Sequence, residues 1–395
     1  MFESLWAAMV SVCAVETLAP NALSSPHKIM HVERFTNAQS VASWRSAWNG
    51  MAGGVPFRTF EWLMSWWRRY ADDCPLYLLG VFDGDRLVGM APFYRSAGKT
   101  GGRTLRFLGD GEVCSDYLDL LAAPGYENRI ISPLVDWLLE ALTTSDSWDA
   151  MELDGIESGT PLVEELTRQL AGAQAMVHRR PAQNCWRLEL PESWYEFEML
   201  QSKSHRKQIR RLIKRVFDTD RCQLHVCNSI TQIDEAMPIL IDLHTRRRKA
   251  LDQSGCFACD RFRRFLYEAA NEMIPSGNCE ILWLELDGAP IAAEIHFPTE
   301  TICYAYQAGI DPTRIKEEPG SLMQIAVIRR AIEQGKTAVD FLRGDEPYKA
   351  HWRAEPRVCE TIRVVPNTTF GLIRHGIWST QVQVKSWFKA SLGKD

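Results

Sequence analysis

The chain lacks any apolar run of membrane-spanning length. The longest candidate, Leu5 to Val15, falls short of the roughly 20 residues a spanning helix needs, and it has Glu3 before it and Glu16 after it instead of a basic flank. It reads as neither a signal sequence nor an anchor; we expect residues 1–29 to be a poorly ordered extension or the product of an upstream start. A strong charge of one sign is also missing. A formal net charge of -5 gives no global attraction to nucleic acid or an acidic membrane, so any anion binding must be local. The eleven cysteines show no disulfide-like spacing, in a chain too large to need staples, which points to a reducing compartment, the cytoplasm. Cys256 and Cys259 form the one C-x-x-C, with no second pair at matching spacing, so structural thiols and no metal are expected.

What is present is a 395-residue chain with 46% hydrophobic and 24% charged residues, enough for two domains that each bury a core. A repeat organises it. Leu76 to Ser96 and Glu280 to Glu300 each read as an apolar strand, an Asp-Gly turn and a second apolar strand, the strongest short-range hairpin signal. Upstream, Phe57 to Tyr70 and Phe257 to Tyr267 place aromatic and leucine residues at helical spacing. Downstream, third strands are expected at Tyr117 to Ala122 and Thr301 to Gly309. Helices at Ile130 to Leu142 and Leu322 to Glu333 follow, then strands at Asp149 to Leu153 and Ala338 to Leu342. The same series at an offset of about 200 residues argues duplication. The fold class is α/β (α+β), two tandem units of mixed, mostly antiparallel sheet flanked by helices. The units are 30–190 and 191–395, divided near Pro191, with Phe370 to Leu392 as a closing amphipathic helix.

The segment Asp340 to Trp352 gathers a guanidinium, carboxylates, a phenol, an ammonium and an imidazole behind a strand that turns at Gly344. Such sets at strand ends face clefts, although a solvated turn of mutually paired charges is the competing reading. Glu294 and His296 share one face of their strand by alternation, either toward the same gap or, on an edge strand, toward solvent. The run Lys203 to Arg215 is cationic outside, with an apolar stripe of Ile209, Leu212, Ile213 and Val216. It reads as a solvated amphipathic helix or as an anion platform. Stacking aromatics are not interleaved there, so sequence-specific nucleic-acid binding is not expected.

The run Phe341 to Trp352, FLRGDEPYKAHW, closely resembles the signature of the GNAT-like family named for cellulose biosynthesis (CelD/BcsL-like). Lys203 to Arg215, His244 to Lys249, Gly255 to Phe257 and Phe60 to Trp62 are similar to that family too. The resemblance implies tandem GNAT domains, related to the Fem peptidyltransferases, with the second unit catalytic and the first silent. The implied activity is transfer of an acyl group, from acetyl-CoA or another acyl-CoA, to an amine or hydroxyl acceptor in envelope or exopolysaccharide metabolism. It implies Tyr348 near the thioester, where a phenol protonates the departing thiolate. Asp345, Glu346, Glu294 or His296 would be the base, and Arg343, Lys349 and Trp352, with Arg206 and Arg210 of the basic helix, would bind a small-molecule or glycan substrate. The donor's phosphates would meet the helix start at Arg314, Gly320, Ser321 and Leu322, where backbone amides are free. In place of the usual phosphate loop, however, Glu317 and Glu318 would oppose a pyrophosphate by about 1 kcal/mol or more at intermediate dielectric. An acyl carrier protein or an aminoacyl-tRNA, as in a Fem-like transfer, therefore stays open as donor. A non-catalytic binding protein on the same scaffold also remains open.

Overall fold

The computed structural model describes residues 30–70, 74–97, 102–219 and 221–376. The Leu5 to Val15 run and the closing segment from residue 377 on, with Trp378, Trp387 and Phe388, lie outside the described residues. In chain order the first half carries β1 (His31–Phe35), α1 (Ala38–Ala42), α2 (Arg45–Gly50), α3 (Phe60–Tyr70), β2 (Leu76–Asp83), β3 (Arg86–Ala97), β4 (Arg103–Phe107), β5 (Leu121–Ala122), α4 (Ile131–Ala141), β6 (Ala150–Glu157), α5 (Pro161–Gly172) and β7 (Met176–Pro181). There follow β8 (Cys185–Glu189), α6 (Trp194–Leu200), α7 (Lys203–Val216), β9 (Cys222–Cys227), α8 (Ile233–Lys249), α9 (Asp260–Met273), β10 (Glu280–Leu286) and β11 (Ala289–Pro298). The chain continues with β12 (Ile302–Ile310), α10 (Pro319–Glu333), β13 (Ala338–Arg343), α11 (Pro347–His351), β14 (Glu355–Arg357) and β15 (Cys359–Val365).

The expected duplication is present as two mixed sheets flanked by helices. One runs β1-β2-β3-β4-β6-β15-β7, the other β14-β8-β13-β12-β11-β10-β9. Both hairpins form where expected, and in the second Asp287 and Gly288 sit at φ 53 and 78, the left-handed pair that a tight twisted turn requires. Each unit then adds one parallel pairing, β4 with β6 and β12 with β13. In the second unit that pairing covers only Ile302 to Tyr304 against Ala338 to Asp340, while β12 runs on to Ile310. Past Tyr304 the two strands are no longer paired, and this opening in the sheet is where the site lies.

Two expectations are corrected. The strand after the first hairpin is β4; of the expected strand Tyr117 to Ala122 only Leu121–Ala122 forms, as β5 paired to β3, and 108–120 is a loop. That loop is buried, so its backbone is satisfied tertiarily, with the Leu118 amide on Gly155 O at 2.9 Å and Arg58 donating to Tyr117 O. The division near Pro191 does not follow the sheets either. β8, assigned to the first unit, pairs with β13 and β14 of the second, and β15 returns to lie between β6 and β7 of the first. Strand pairing is decided over long sequence distances, which local pattern does not encode.

The units share one core. Trp62 of α3 meets Phe265 of α9 edge-on at 4.9 Å and Phe297 of β11 at 4.9 Å. A second core fills the other face of the second sheet, from Ile209, Leu212 and Val216 of α7 to Leu322 and Ile325 of α10. The apolar stripe foreseen on the basic helix is thus its buried face. Among the described residues no helix is long and apolar enough to cross a membrane, and the ten cysteines form no disulfide.

Candidate active site

A cavity of about 430 Å³ occupies the opening between β12 and β13. Its walls come from β11 (Glu294), the end of β12 (Ala308 to Ile310), the start of α10 (Pro319 to Ser321, Gln324) and α11 with the residue after it (Tyr348, His351, Trp352). Gly309 is required there by close approach. A Cβ on it would stand 2.2 Å from the His244 backbone nitrogen, so only glycine lets β12 lie against α8.

Glu294 is the buried acid of this cavity, 6% exposed. Its Oε1 accepts from Gln324 Nε2 at 2.9 Å, and its Oε2 lies 2.7 Å from His296 Nε2. His296 Nδ1 in turn faces Cys303 Sγ at 3.3 Å. Alternation along β11 does put Glu294 and His296 on one face, and both are buried. Only Glu294 reaches the cavity. Burial by itself lowers the His296 pKa, but Cys303 and Glu294 outweigh it and hold the imidazole well above its ordinary value. Gln324 is 7% exposed, and its Oε1 has no partner among the described residues. That oxygen is closed off from solvent, so it is the Gln324 amide nitrogen, by holding Glu294, that serves the cavity.

Tyr348 stands at the cavity lip on α11, 44% exposed. Desolvation first, then the carboxylates of Glu294 and Glu346, push its phenol above its ordinary value, so it is a neutral hydrogen-bond donor at physiological pH. Trp352 forms the wall behind it, buried and packed against Phe197 and His205. The remainder of the signature is structural. Lys349 is 2% exposed, and its Nζ donates to the carbonyls of Leu342, Arg343 and Gly344 at 2.9–3.0 Å, tying down the strand end. Arg343 reaches the first unit, with Nε on Asp116 Oδ1 at 2.5 Å and Nη2 on Ser115 O at 3.0 Å. Asp345 accepts from Trp186 Nε1 at 3.0 Å, and Glu346 pairs with Lys349 at 2.9 Å. Arg343, Asp345, Glu346 and Lys349 do not line the cavity, because their side chains answer the needs of the turn.

At the α10 end of the cavity, Gly320 and Ser321 stand at the second and third positions of the helix. Their amides therefore have no carbonyl within the helix to bond, and both residues line the cavity. Leu322 points into the core instead. Arg314 turns away, donating to Leu286 O at 2.9 Å and Asp287 Oδ2 at 3.2 Å. The acidic pair is not left bare. Glu318 accepts from Gln208 at 2.6 Å and from Arg211, and Glu317 pairs with Arg215 at 3.4 Å. One stripe of the basic helix α7 is thus spent on this loop. Arg206 donates to Met199 Sδ and Gln201 O, and Arg210 to Glu198 at 2.9 Å, so neither faces the cavity.

Sequence reasoning missed Arg247, His351 and Gln324, which all line the cavity. Gln324 left a signal: it interrupts the apolar run Leu322 to Ile328 of a helix buried over most of its length. Among the described residues Arg247 is the one Arg or Lys lining the cavity, beside His351. In the first unit β3 carries no carboxylate or imidazole, and the 108–120 loop is buried against the second unit, where Tyr117 donates to Asp340 at 2.7 Å. Outside the cavity, Glu280, His296 and Cys303 bring potential metal-ligand atoms within 4.8 Å of one another, with Glu280 already paired to Arg330 at 2.7 Å.

Residues 203–350 match the family model described as an acetyltransferase (GNAT) domain. No curated protein matches the chain. Among solved structures it is similar to FemX, at TM-score 0.58 and 11% identity over 84% of this chain and 96% of that one. It is also similar to a conserved protein of unknown function from Bacteroides thetaiotaomicron, at TM-score 0.52 and 11% identity over 85% and 99% of the two chains. At such identities the likeness is one of fold.

Proposed function

We propose that this chain, whose second unit carries the matched acetyltransferase-type domain, moves an acyl group from a pantetheine thioester such as acetyl-CoA to an amine or hydroxyl in the β12/β13 cavity. The observation that carries the reading is Glu294. It is a carboxylate buried in a cavity wall, oriented through both oxygens by Gln324 and His296, beside a neutral phenol and below a helix start with two free amides. Unlike the buried Asp116 and Asp340, which are used up in structural pairs, this carboxylate faces a cavity, which supports a chemical role for it.

The residues fit a pantetheine arm. Gly320 and Ser321 offer amides to a phosphate oxygen, and Arg247 a guanidinium. The thioester supplies an activated acyl carbon. Glu294 takes the proton of the acceptor's nitrogen or oxygen as it bonds to that carbon. Tyr348 Oη donates a hydrogen bond to the sulfur as the carbon–sulfur bond breaks and the thiolate departs. Because the phenol is pushed up, Tyr348 stabilises the thiolate chiefly as a donor and less as a full acid. Trp352 and Tyr348 flank the acceptor. We place that acceptor, on the resemblance of FLRGDEPYKAHW, in envelope or exopolysaccharide metabolism, and the enzyme in the cytoplasm.

Calorimetric titration with acetyl-CoA and acetyl-pantetheine, followed by thiol release over a panel of amines and sugar hydroxyls, tests the reading. Binding of the thioester and acceptor-dependent release are expected; binding of neither thioester overturns it.

A further inference from the structure

The outer face of α7 is not used by the cavity or by the core. Its residues fall on three stripes. His205, Ile209, Leu212 and Val216 are buried; Gln208, Arg211 and Arg215 clasp Glu317 and Glu318 at the cavity lip. Lys203, Lys207 and Lys214, spaced by one and two turns, share the third stripe and are exposed, with no ion pair among the described residues. Just before α7 the short α6 leaves Tyr195, Met199 and Leu200 67%, 46% and 59% exposed, with Met199 Sδ against Arg206 of α7. Both helices abut the cavity. Phe197 of α6 and His205 of α7 pack on Trp352, which forms its wall.

The donor end of the cavity adds an independent observation. A nucleotide donor brings a pyrophosphate and a further phosphate, yet of the loop's two cations Arg314 is bound to the β10–β11 turn and Lys316 is exposed away from the lining residues, while Glu318 stands at the lip. Two amides and the single Arg247 match one phosphodiester better than a pyrophosphate with its nucleotide.

From these two features we infer that the acyl donor is delivered by an acidic acyl carrier protein, docked on the α6–α7 face with its phosphopantetheine arm in the cavity. This rests on the acyl-transfer reading above. A carrier presents carboxylates around a small apolar helix face, complementary to three lysines of α7 and the exposed Tyr195, Met199 and Leu200 of α6. RNA would favour an extended cationic surface without exposed apolar side chains, and the chain's net charge is -5. A bilayer would meet the same side chains but carries no thioester to the cavity they adjoin.

The test titrates the full chain with an acetyl-loaded acyl carrier protein, acetyl-CoA and acetyl-pantetheine, and repeats it with a Lys203→Glu, Lys207→Glu, Lys214→Glu variant. The carrier is expected to bind at least tenfold more tightly than acetyl-CoA. The variant is expected to lose at least tenfold affinity for the carrier while binding acetyl-pantetheine unchanged. Equal carrier affinity in the two proteins overturns the inference, as does acetyl-CoA binding more tightly than the carrier. Binding of anionic vesicles or bulk tRNA, but not carrier, that the lysine changes abolish also overturns it in favour of that partner. If acetyl-pantetheine binds and the carrier does not, only the docking inference falls; if neither binds, the acyl-transfer reading falls with it.

Discussion

His296 Nε2 lies 2.7 Å from Glu294 Oε2, two residues apart on β11 and both buried, and only Glu294 reaches the cavity. The pair makes a one-way arrangement. His296, held on its other nitrogen by Cys303, orients the carboxylate from behind, while the carboxylate faces substrate. On the proposed reading His296 is a positioning residue and Glu294 the base.

Lys349 belongs to the strand end and not to substrate. Lys349→Met removes three donors from buried carbonyls and is expected to cost about 2–4 kcal/mol of stability. Chemical denaturation checks this. An unchanged unfolding midpoint with a raised KM would make Lys349 a substrate contact instead.

The two units are joined where Arg343 meets Asp116. A double-mutant cycle with Arg343→Met and Asp116→Asn is expected to give a coupling energy of about 2 kcal/mol in denaturation experiments, because Arg343→Met strands the buried Asp116 carboxylate. Additive effects would mean that the contact does not bind the units together.

Glu318 is tolerated at the donor end because α7 neutralises it. Arg211→Ala leaves the carboxylate less compensated and is expected to raise the KM for an acyl thioester about threefold, while Glu318→Gln lowers it. Steady-state kinetics on both variants decides. A KM that moves in neither case removes Glu318 from the donor path.

Acid sensitivity has an assigned source. Burial lowers His205 and His244 to about 4, with the cations around them adding to the effect. A lowered histidine is neutral in the folded chain and protonates more readily when unfolded, near 6.5. These two histidines therefore withdraw stability as pH falls from about 6.5 toward 4. Thermal melts across that range should show a shallower slope for His205→Asn with His244→Asn than for the parent; equal slopes would refute the assignment.

Much of the fold was legible because it is written locally. The Asp-Gly turns fixed both hairpins, and period-two alternation put Glu294 and His296 on one face. β8 and β15 were not legible in their places, since each pairs with a strand far away in sequence. The signature segment was found but overread. Composition shows that Arg343, Lys349, Asp345 and Glu346 cluster, yet not that a bulged strand end, with Leu342 at φ 57, consumes Lys349 and turns Arg343 toward Asp116. Arg247 and His351 lay inside segments that the sequence did single out, His244 to Lys249 and Asp340 to Trp352, but that these two side chains share one cavity was not legible, because α8 and α11 meet only across it.

The central claim is that Glu294 is the base of an acyl transfer in the β12/β13 cavity. The most direct measurement is acceptor-dependent thiol release from an acyl thioester by the parent and by Glu294→Gln, with thioester binding and unfolding midpoint followed alongside. The account predicts a fall in kcat of at least about 10²-fold, with binding and stability nearly unchanged. A variant that turns over within threefold of the parent would contradict it.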